Sequence, residues 1–438
     1  MTIPHLTTAL SGALSDLERR IVEATSAIED WLRGRCQEHA TPFYSSVDRR
    51  NSGHKIVPVD TNLYPGGFNN LNRDFDALCV QAVLTAIRRY CTDASRILLI
   101  PENHTRNTGY MQNVGALHRI LRDAGMDVRI GSLLPDLTAP MDIEVPGGGK
   151  LTLEPLTRSG SRIGVNGFDP CMVLLNNDLS AGLPEILRNL EQPVLPPLNA
   201  GWFMRRKSNH FTVYQEVATE FAQLIGIDPW LINPYFGKCG KVNFAEHAGE
   251  ECLAGYVEEV LDEIRYKYKQ YGITQEPFVI AKADSGTYGM AIMTVKDPSE
   301  IRNLNRRDRK KMEMAKGHVE VHEVLVQEGV HCIDRVNGAV AEPVVYMIDQ
   351  SVVGAFYRAH AGRGEDQNLN TPGSRFEQLA FEKSPASSNP GEPDSPPNRF
   401  YAYSVIARLA MVAAAIEITR TKEAFGDGSG FPAPVAPH

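Results

Sequence analysis

Apolar residues at Leu14, Leu17, Ile21, Ala24, Ile28 and Trp31 step by three and four. That is the period of one helix face, and it predicts an amphipathic helix packing on the body of the protein or on a second copy of the chain, a homo-oligomer. The run at residues 48–72 is dense in Asn, Gly and charge and is expected to be a loop. Beyond it helical periodicity over 77–90 gives way to an apolar strand at 96–100, a helix over 110–124 and a strand at 127–131. This strand–helix–strand order predicts a layered α/β unit with a partly parallel sheet, completed by a β-rich stretch at 143–156 and a strand at 171–178.

The proline-dense segment 193–208 reads as a connection into a second unit. That unit opens with a helix over 209–225 and continues with a charged helix over 250–270 and strand-like runs at 277–284, 289–295 and 319–330. Runs at 343–349 and 352–360 predict a hairpin turning through Gln350 and Ser351. Residues 384–398 are proline-rich and polar, the composition of a flexible loop, and an apolar helix over 401–417 precedes a Gly/Pro tail. The expected organisation is therefore an N-terminal α/β substrate-binding unit at 1–200, a nucleotide-binding unit at 201–383, the loop at 384–398, and a C-terminal helix and tail at 399–438.

Composition narrows the function. In 438 residues, 45 Lys and Arg stand against 53 Asp and Glu, a net charge of −8, so no global positive field favours nucleic acid or an anionic membrane surface. Hydrophobic residues make up 42% and charged residues 22%, a globular composition that excludes wholesale disorder. No uninterrupted apolar run approaches the roughly 20 residues of a bilayer span, and the N-terminal residues lack the basic and apolar regions of a signal peptide. The 7 cysteines are scattered without a CxxC pair, which places the chain in the reducing cytoplasm.

The densest chemistry lies at 277–293, where an apolar strand delivers Lys282 and is followed by a small-residue turn and a second strand. Gly286 and Gly289 let backbone N–H groups close on phosphate oxygens, Ser285 and Thr287 add hydroxyls, and Lys282 supplies a compact cation, a set suited to ATP. Standing alone, the pattern also describes an ordinary hairpin; it is neither a Walker A loop nor a Rossmann fingerprint. Gln327, Glu328 and Gly329 end a later strand where backbone groups can meet an adenine edge. Arg358 lies on a strand, with Asn368 and Asn370 in the polar loop after it, offering a guanidinium for phosphate and amide oxygens for Mg²⁺. Two N-terminal runs can receive small polar substrates: Arg49, Arg50 and Lys55 can meet carboxylates, Asp60 and Asn62 an ammonium group, and Glu102 and Arg106 follow a strand's end. His318 and His322 would stand roughly 13 Å apart on a strand, too far for one metal ion.

The order of strand lysine, glycine loop, Gln-Glu hinge and Arg-to-Asn loop resembles the ATP-grasp superfamily and, within it, glutathione synthetases. Taken with PVDTNLYPGGFNNLN, PENHTRNTGYMQN, LNAGWFMRRKSNHF and KADSGTYGMAIM, the whole chain resembles the proteobacterial glutamate–cysteine ligase family of ATP-grasp type. The resemblance implies an ATP-grasp-like fold for the second unit and ATP- and Mg²⁺-dependent ligation of glutamate to cysteine, the first step of glutathione synthesis. On it, Lys282 matches the family lysine, Gly286 and Gly289 the loop, Glu328 the hinge, Arg358 the phosphate-side arginine and Asn368 the metal-side asparagine. The upstream ATP lysine is Lys207 or Lys241, and Glu342 joins the metal-side candidates. The rival readings are another carboxylate–amine ligase of the same fold, such as a glutathione synthetase, and a nucleotide-binding regulatory protein without turnover.

Overall fold

The computed structural model describes residues 13–92, 95–147, 149–240, 242–286, 291–313, 320–378 and 399–426. The expected loop at 384–398, the tail after 426, His318, and the candidates Lys241, Thr287 and Gly289 lie outside the described residues. The first helical stretch is two helices, Ala13–Glu23 and Thr25–Glu38, because the Thr25 hydroxyl donates to the Val22 carbonyl at 2.6 Å and competes with the helix ladder at the join. Leu14, Leu17, Ile21, Ile28 and Leu32 are buried in the protein's own core, so this face packs on the body.

Three sheets carry the architecture. The first is antiparallel and runs in the order Arg375–Gln378, Ser351–His360, Ala339–Ile348, Tyr44–Asn51, Ile56–Asn62, so its strands come from both sides of residue 200. The polar run expected to be a loop is thus, through Asn62, a buried hairpin. Its charges have faces to go to: one side of Tyr44–Asn51 meets a cleft and the other meets the C-terminal helix. Pro58, which has no N–H to give a ladder, sits on the edge strand where none is needed. The register shifts there, from Asp48 opposite Asp60 to Arg49 opposite Pro58, leaving Val59 as a bulged residue. The later hairpin turns at Asp349 and Gln350, one residue earlier than expected, with Asp349 at φ 53°.

The second sheet follows the α/β expectation. Val194–Leu195, Met172–Asn176, Arg96–Pro101, Asp127–Ser132 and Gly149–Pro155 lie parallel, and Met141–Val145 joins antiparallel at the edge. Helices Asp76–Tyr90 and Thr108–Asp123 bury Val83, Ile87, Val114 and Leu117 in the core they share with it. The third sheet is antiparallel, Phe236–Cys239, Val324–Glu328, Val279–Ala283, Ile292–Val295, backed by Glu250–Tyr271 through Val257, Leu261 and Ile264. These mixed helices and sheets make the chain an α/β protein.

Helix Arg399–Phe425 runs through the interior beside Lys207–Ile225. Phe400–Phe425 holds a window with the length and overall apolarity of a membrane span, although Arg408 and Glu417 interrupt the apolar run along the helix. Yet 78% of that window is buried inside the protein, so packing against the sheets accounts for its apolarity.

Candidate functional site

A cleft opens between the third sheet and the first. From the third sheet it is lined by Lys282, Ser285, Gly286, Gln327 and Glu328; from the first by Asp48, Arg50, Asp60, Glu342 and Arg358; and from the following loop by Asn368 and Asn370. Lys207 enters at the start of its helix. Sequence-distant candidates therefore meet in one place, because strand alternation puts Asp48 and Arg50 on one face and the register sets Glu342 opposite Arg358 and Asp48 opposite Val344.

The charges alternate in sign. Arg358 Nη1 donates to Asp48 Oδ2 at 2.7 Å and to Glu342 Oε1 at 2.8 Å, and Arg50 Nε reaches Glu342 Oε2 at 3.1 Å. Lys207 Nζ lies 3.0 Å from Asp60 Oδ1. Lys282 Nζ donates to the Val59 carbonyl at 2.7 Å and to Gln327 Oε1 at 2.8 Å. Burial pushes the Lys282 ammonium down to about 8, with Asp60 opposing and Lys207 reinforcing the shift. Burial also works against the Asp60 and Glu342 carboxylates, but Lys207 and Lys282 hold the first below the ordinary range and Arg50 and Arg358 hold the second. Arg358 is held above its ordinary value because Asp48 and Glu342 outweigh its burial. Cations and acceptors so arranged can seat a polyanion beside oxygen ligands for a hard cation.

Asp284 anchors the glycine turn. Its carboxylate accepts from the Ser208 backbone N–H and hydroxyl, each at 2.7 Å, and its carbonyl accepts from the Lys207 N–H at 2.7 Å. The first turn of Lys207–Ile225 is thereby fastened to the residue before Ser285, and Gly286 takes φ 86°, which favours glycine.

A second compartment adjoins the cleft. Asp48, Asp60, Arg358 and Asn370 line both. Its far wall is built at the C-terminal ends of the parallel strands from Glu102, Tyr110, Asn176 and Asp178, with Asn62 and Tyr64 beside them. Tyr110 Oη donates to the Asn176 carbonyl at 2.8 Å and accepts from the Glu102 N–H at 2.8 Å.

Three substrate candidates fall elsewhere. Arg49 is on the opposite face of its strand from Arg50, fully buried with its guanidinium 4.6 Å from the centre of the Tyr403 ring. Lys55 is buried in an ion pair with Glu328 at 2.9 Å and lies 4.2 Å over Trp230. Arg106 is exposed and lines neither compartment. Arg50 lines the cleft but is committed to Glu342 and to the carbonyls of Val330 and Gln367. At the expected adenine edge, the Glu328 N–H goes to Tyr235 and the Gly329 N–H to Phe278, each at 2.8 Å.

The residues missed by sequence reasoning are Asp48, Asp284, Tyr64, Tyr110, Asn176 and Asp178. Asp48 alternates with Ser46 and Arg50, a period-2 signal hidden in the run read as a loop. Asp178 closes the strand placed at 171–178, the usual position for a ligand contact in a parallel sheet.

A strand lysine and glycine turn face a ring of paired charges, and a polar chamber opens from them at a sheet's C-terminal edge; the family match makes the chain a ligase. The chain belongs to the glutamate–cysteine ligase family, whose profile matches residues 18–418, and glutamate–cysteine ligation is its activity. It is similar to a protein of Methylobacillus flagellatus provisionally named gamma-glutamylcysteine synthetase, whose crystal structure superposes with a TM-score of 0.88 at 56% identity, covering 96% of this chain and 100% of that one. A glutathione synthetase-like effector of Globodera pallida aligns at 10% identity and TM-score 0.35 over 79% of this chain and 78% of that one. D-alanyl-alanine synthetase A of Vibrio cholerae aligns at 12% and 0.32 over 72% and 81%, and neither of these two likenesses bears on the chemistry. No curated protein matches the chain.

Proposed function

We propose that the cleft takes ATP, that the adjoining compartment takes the two amino acids, and that the side-chain carboxylate of glutamate lies at their junction. What carries this reading is the pair of cavities sharing Asp48, Asp60, Arg358 and Asn370, so that a phosphoryl donor on one side faces an acceptor on the other. The carboxylate attacks the terminal phosphoryl group, releasing ADP and forming an acyl phosphate; the cysteine amine, having lost its proton, then displaces phosphate to form γ-glutamylcysteine. Lys282 and Lys207 offset phosphate charge. Arg358 Nε, buried without an acceptor among the described residues, donates to the carboxylate as it approaches. The glycine turn beginning at Ser285 and Gly286 limits water that would hydrolyse the intermediate.

Asp60, Glu342, Asn368 and Asn370 offer oxygen donors of the kind Mg²⁺ takes. Among the described residues no three His, Cys, Asp or Glu side chains cluster at metal-binding spacing, which suits an ion held by one or two carboxylates together with phosphate oxygens rather than a protein cage. Bound there, Mg²⁺ would offset charge on the transferring phosphoryl group. The scattered cysteines support the cytoplasm as the compartment.

Glutamate labelled with ¹⁸O in its side-chain carboxylate should pass one label to released phosphate during cysteine-dependent turnover. Unlabelled phosphate appearing while γ-glutamylcysteine accumulates would refute the acyl phosphate.

A further inference from the structure

One wall of the second compartment carries two carboxylates. Glu102 and Asp178 stand just past the ends of neighbouring parallel strands, whose last residues, Pro101 and Asn176, are register partners. The two are fixed to each other: Glu102 Oε1 accepts from the Asp178 backbone N–H at 3.0 Å, and Asp178 Oδ1 accepts from the Ser180 N–H at 3.0 Å and hydroxyl at 2.6 Å. Beside them Tyr64 is 6% exposed, lines the same compartment, and has a hydroxyl without a hydrogen-bond partner among the described residues. A buried hydroxyl left unpaired is costly, so a ligand group that satisfies it is favoured.

We propose that Tyr64, Glu102 and Asp178 form the seat for the α-ammonium group of glutamate. The inference rests on the compartment's being the amino-acid site. An ammonium group has three N–H donors and no acceptor, and the hydroxyl oxygen with two carboxylates presents three acceptors. Burial, with Tyr44 and Asp178 nearby, holds the Tyr64 phenol well above its usual range, so it stays a neutral hydroxyl. The reaction decides which amino acid is held. The nitrogen of cysteine must shed its proton and attack, and a fixed seat of anions would hold it charged and unreactive. The nitrogen of glutamate survives the reaction unchanged, and anchoring it turns the far carboxylate toward Arg358.

Glutarate separates the possibilities, because it keeps both carboxylates and lacks the ammonium group. With the full-length protein, the KM for glutamate and the inhibition constant of glutarate are measured by cysteine-dependent ADP release. Asp178→Asn should raise the glutamate KM by about tenfold or more while moving the glutarate constant by less than about twofold, and Tyr64→Phe should shift the same ratio by about fivefold. ATP-analogue affinity, measured by calorimetry, should be unaltered in both. Tyr64→Phe removes one oxygen atom and keeps the ring, so it carries the test if Asp178→Asn fails to fold. Glutamate and glutarate weakening together, or neither changing, would overturn the assignment while leaving the ligase reading intact. Wild-type protein that forms no γ-glutamylcysteine would instead remove the reading on which it rests.

Discussion

The ammonium of Lys282 lies 2.7 Å from the carbonyl oxygen of Val59, the bulged residue of the N-terminal hairpin. A bulge leaves one residue out of the ladder, and here its carbonyl turns to the strand that carries the glycine turn. The contact joins the first sheet to the third at the point where the cleft begins. It also fixes the position of the lysine, since Gln327 Oε1 accepts a second of its protons at 2.8 Å.

Replacing this cation should disable nucleotide handling without dissolving the fold. Lys282→Met keeps the buried stem and removes a charged donor whose contacts are worth about 1.5–3 kcal/mol, a loss of about ten- to a hundredfold in ATP-analogue affinity, with turnover abolished. Calorimetry showing wild-type affinity in a cooperatively unfolding variant would remove Lys282 from the site.

The depressed pKa of Lys282 makes binding pH-dependent in a defined direction. The free enzyme's lysine is charged below about 8 and neutral above it. Affinity for an ATP analogue should therefore fall as pH rises through about 8, and Lys282→Arg, which stays charged, should flatten that fall. A wild-type affinity constant from pH 7 to 9.5 would contradict the assignment.

Lys55 should behave as a structural lysine. Burial pushes it down to about 8 against the pull of Glu328. The unfolded chain, with a lysine pKa near 10.4, binds more protons between about 8 and 10, so this group's contribution to stability rises with pH across that window. Lys55→Met strands part of the buried Glu328 charge and should cost about 3 kcal/mol at pH 7, while the glutamate KM stays within about twofold. Denaturant unfolding and steady-state kinetics on the same samples check both; a KM effect without a stability loss would restore Lys55 as a substrate contact.

Arg49 and Arg50, adjacent in sequence, should respond oppositely. Among the described residues Arg49 has no hydrogen-bond partner for Nε, Nη1 or Nη2, and burial pushes its guanidinium down to about 10. Arg49→Met removes a buried charge at little volume cost and should be neutral or stabilise by about 1–4 kcal/mol. Arg50→Met breaks the pair with Glu342 and frees the loop held through Gln367, and should destabilise by about 3 kcal/mol. Unfolding curves that rank the two variants the other way would show that Arg49 has a partner in solution.

The order of elements was legible along the chain wherever a strand or helix announced itself by its own apolar period. The parallel strands Arg96–Pro101 and Met172–Asn176, the helices between them, and the strand bearing Lys282 all did so. Lys282, Gly286 and Arg358 stood out for the same local reason, a charged or permissive residue at the end or middle of an apolar run. What only the tertiary structure decided was the hairpin Tyr44–Asn51 and Ile56–Asn62, and with it Asp48 and the division of labour between Arg49 and Arg50. A strand rich in Asp, Arg and Asn reads as solvated because charge normally stays in water. It folds into the interior here because Glu342 and Arg358, roughly 300 residues away, arrive on the neighbouring strands to neutralise it. Pairing across such a separation leaves no mark on local periodicity, since β-strand partners are chosen by the fold and not by chain neighbours.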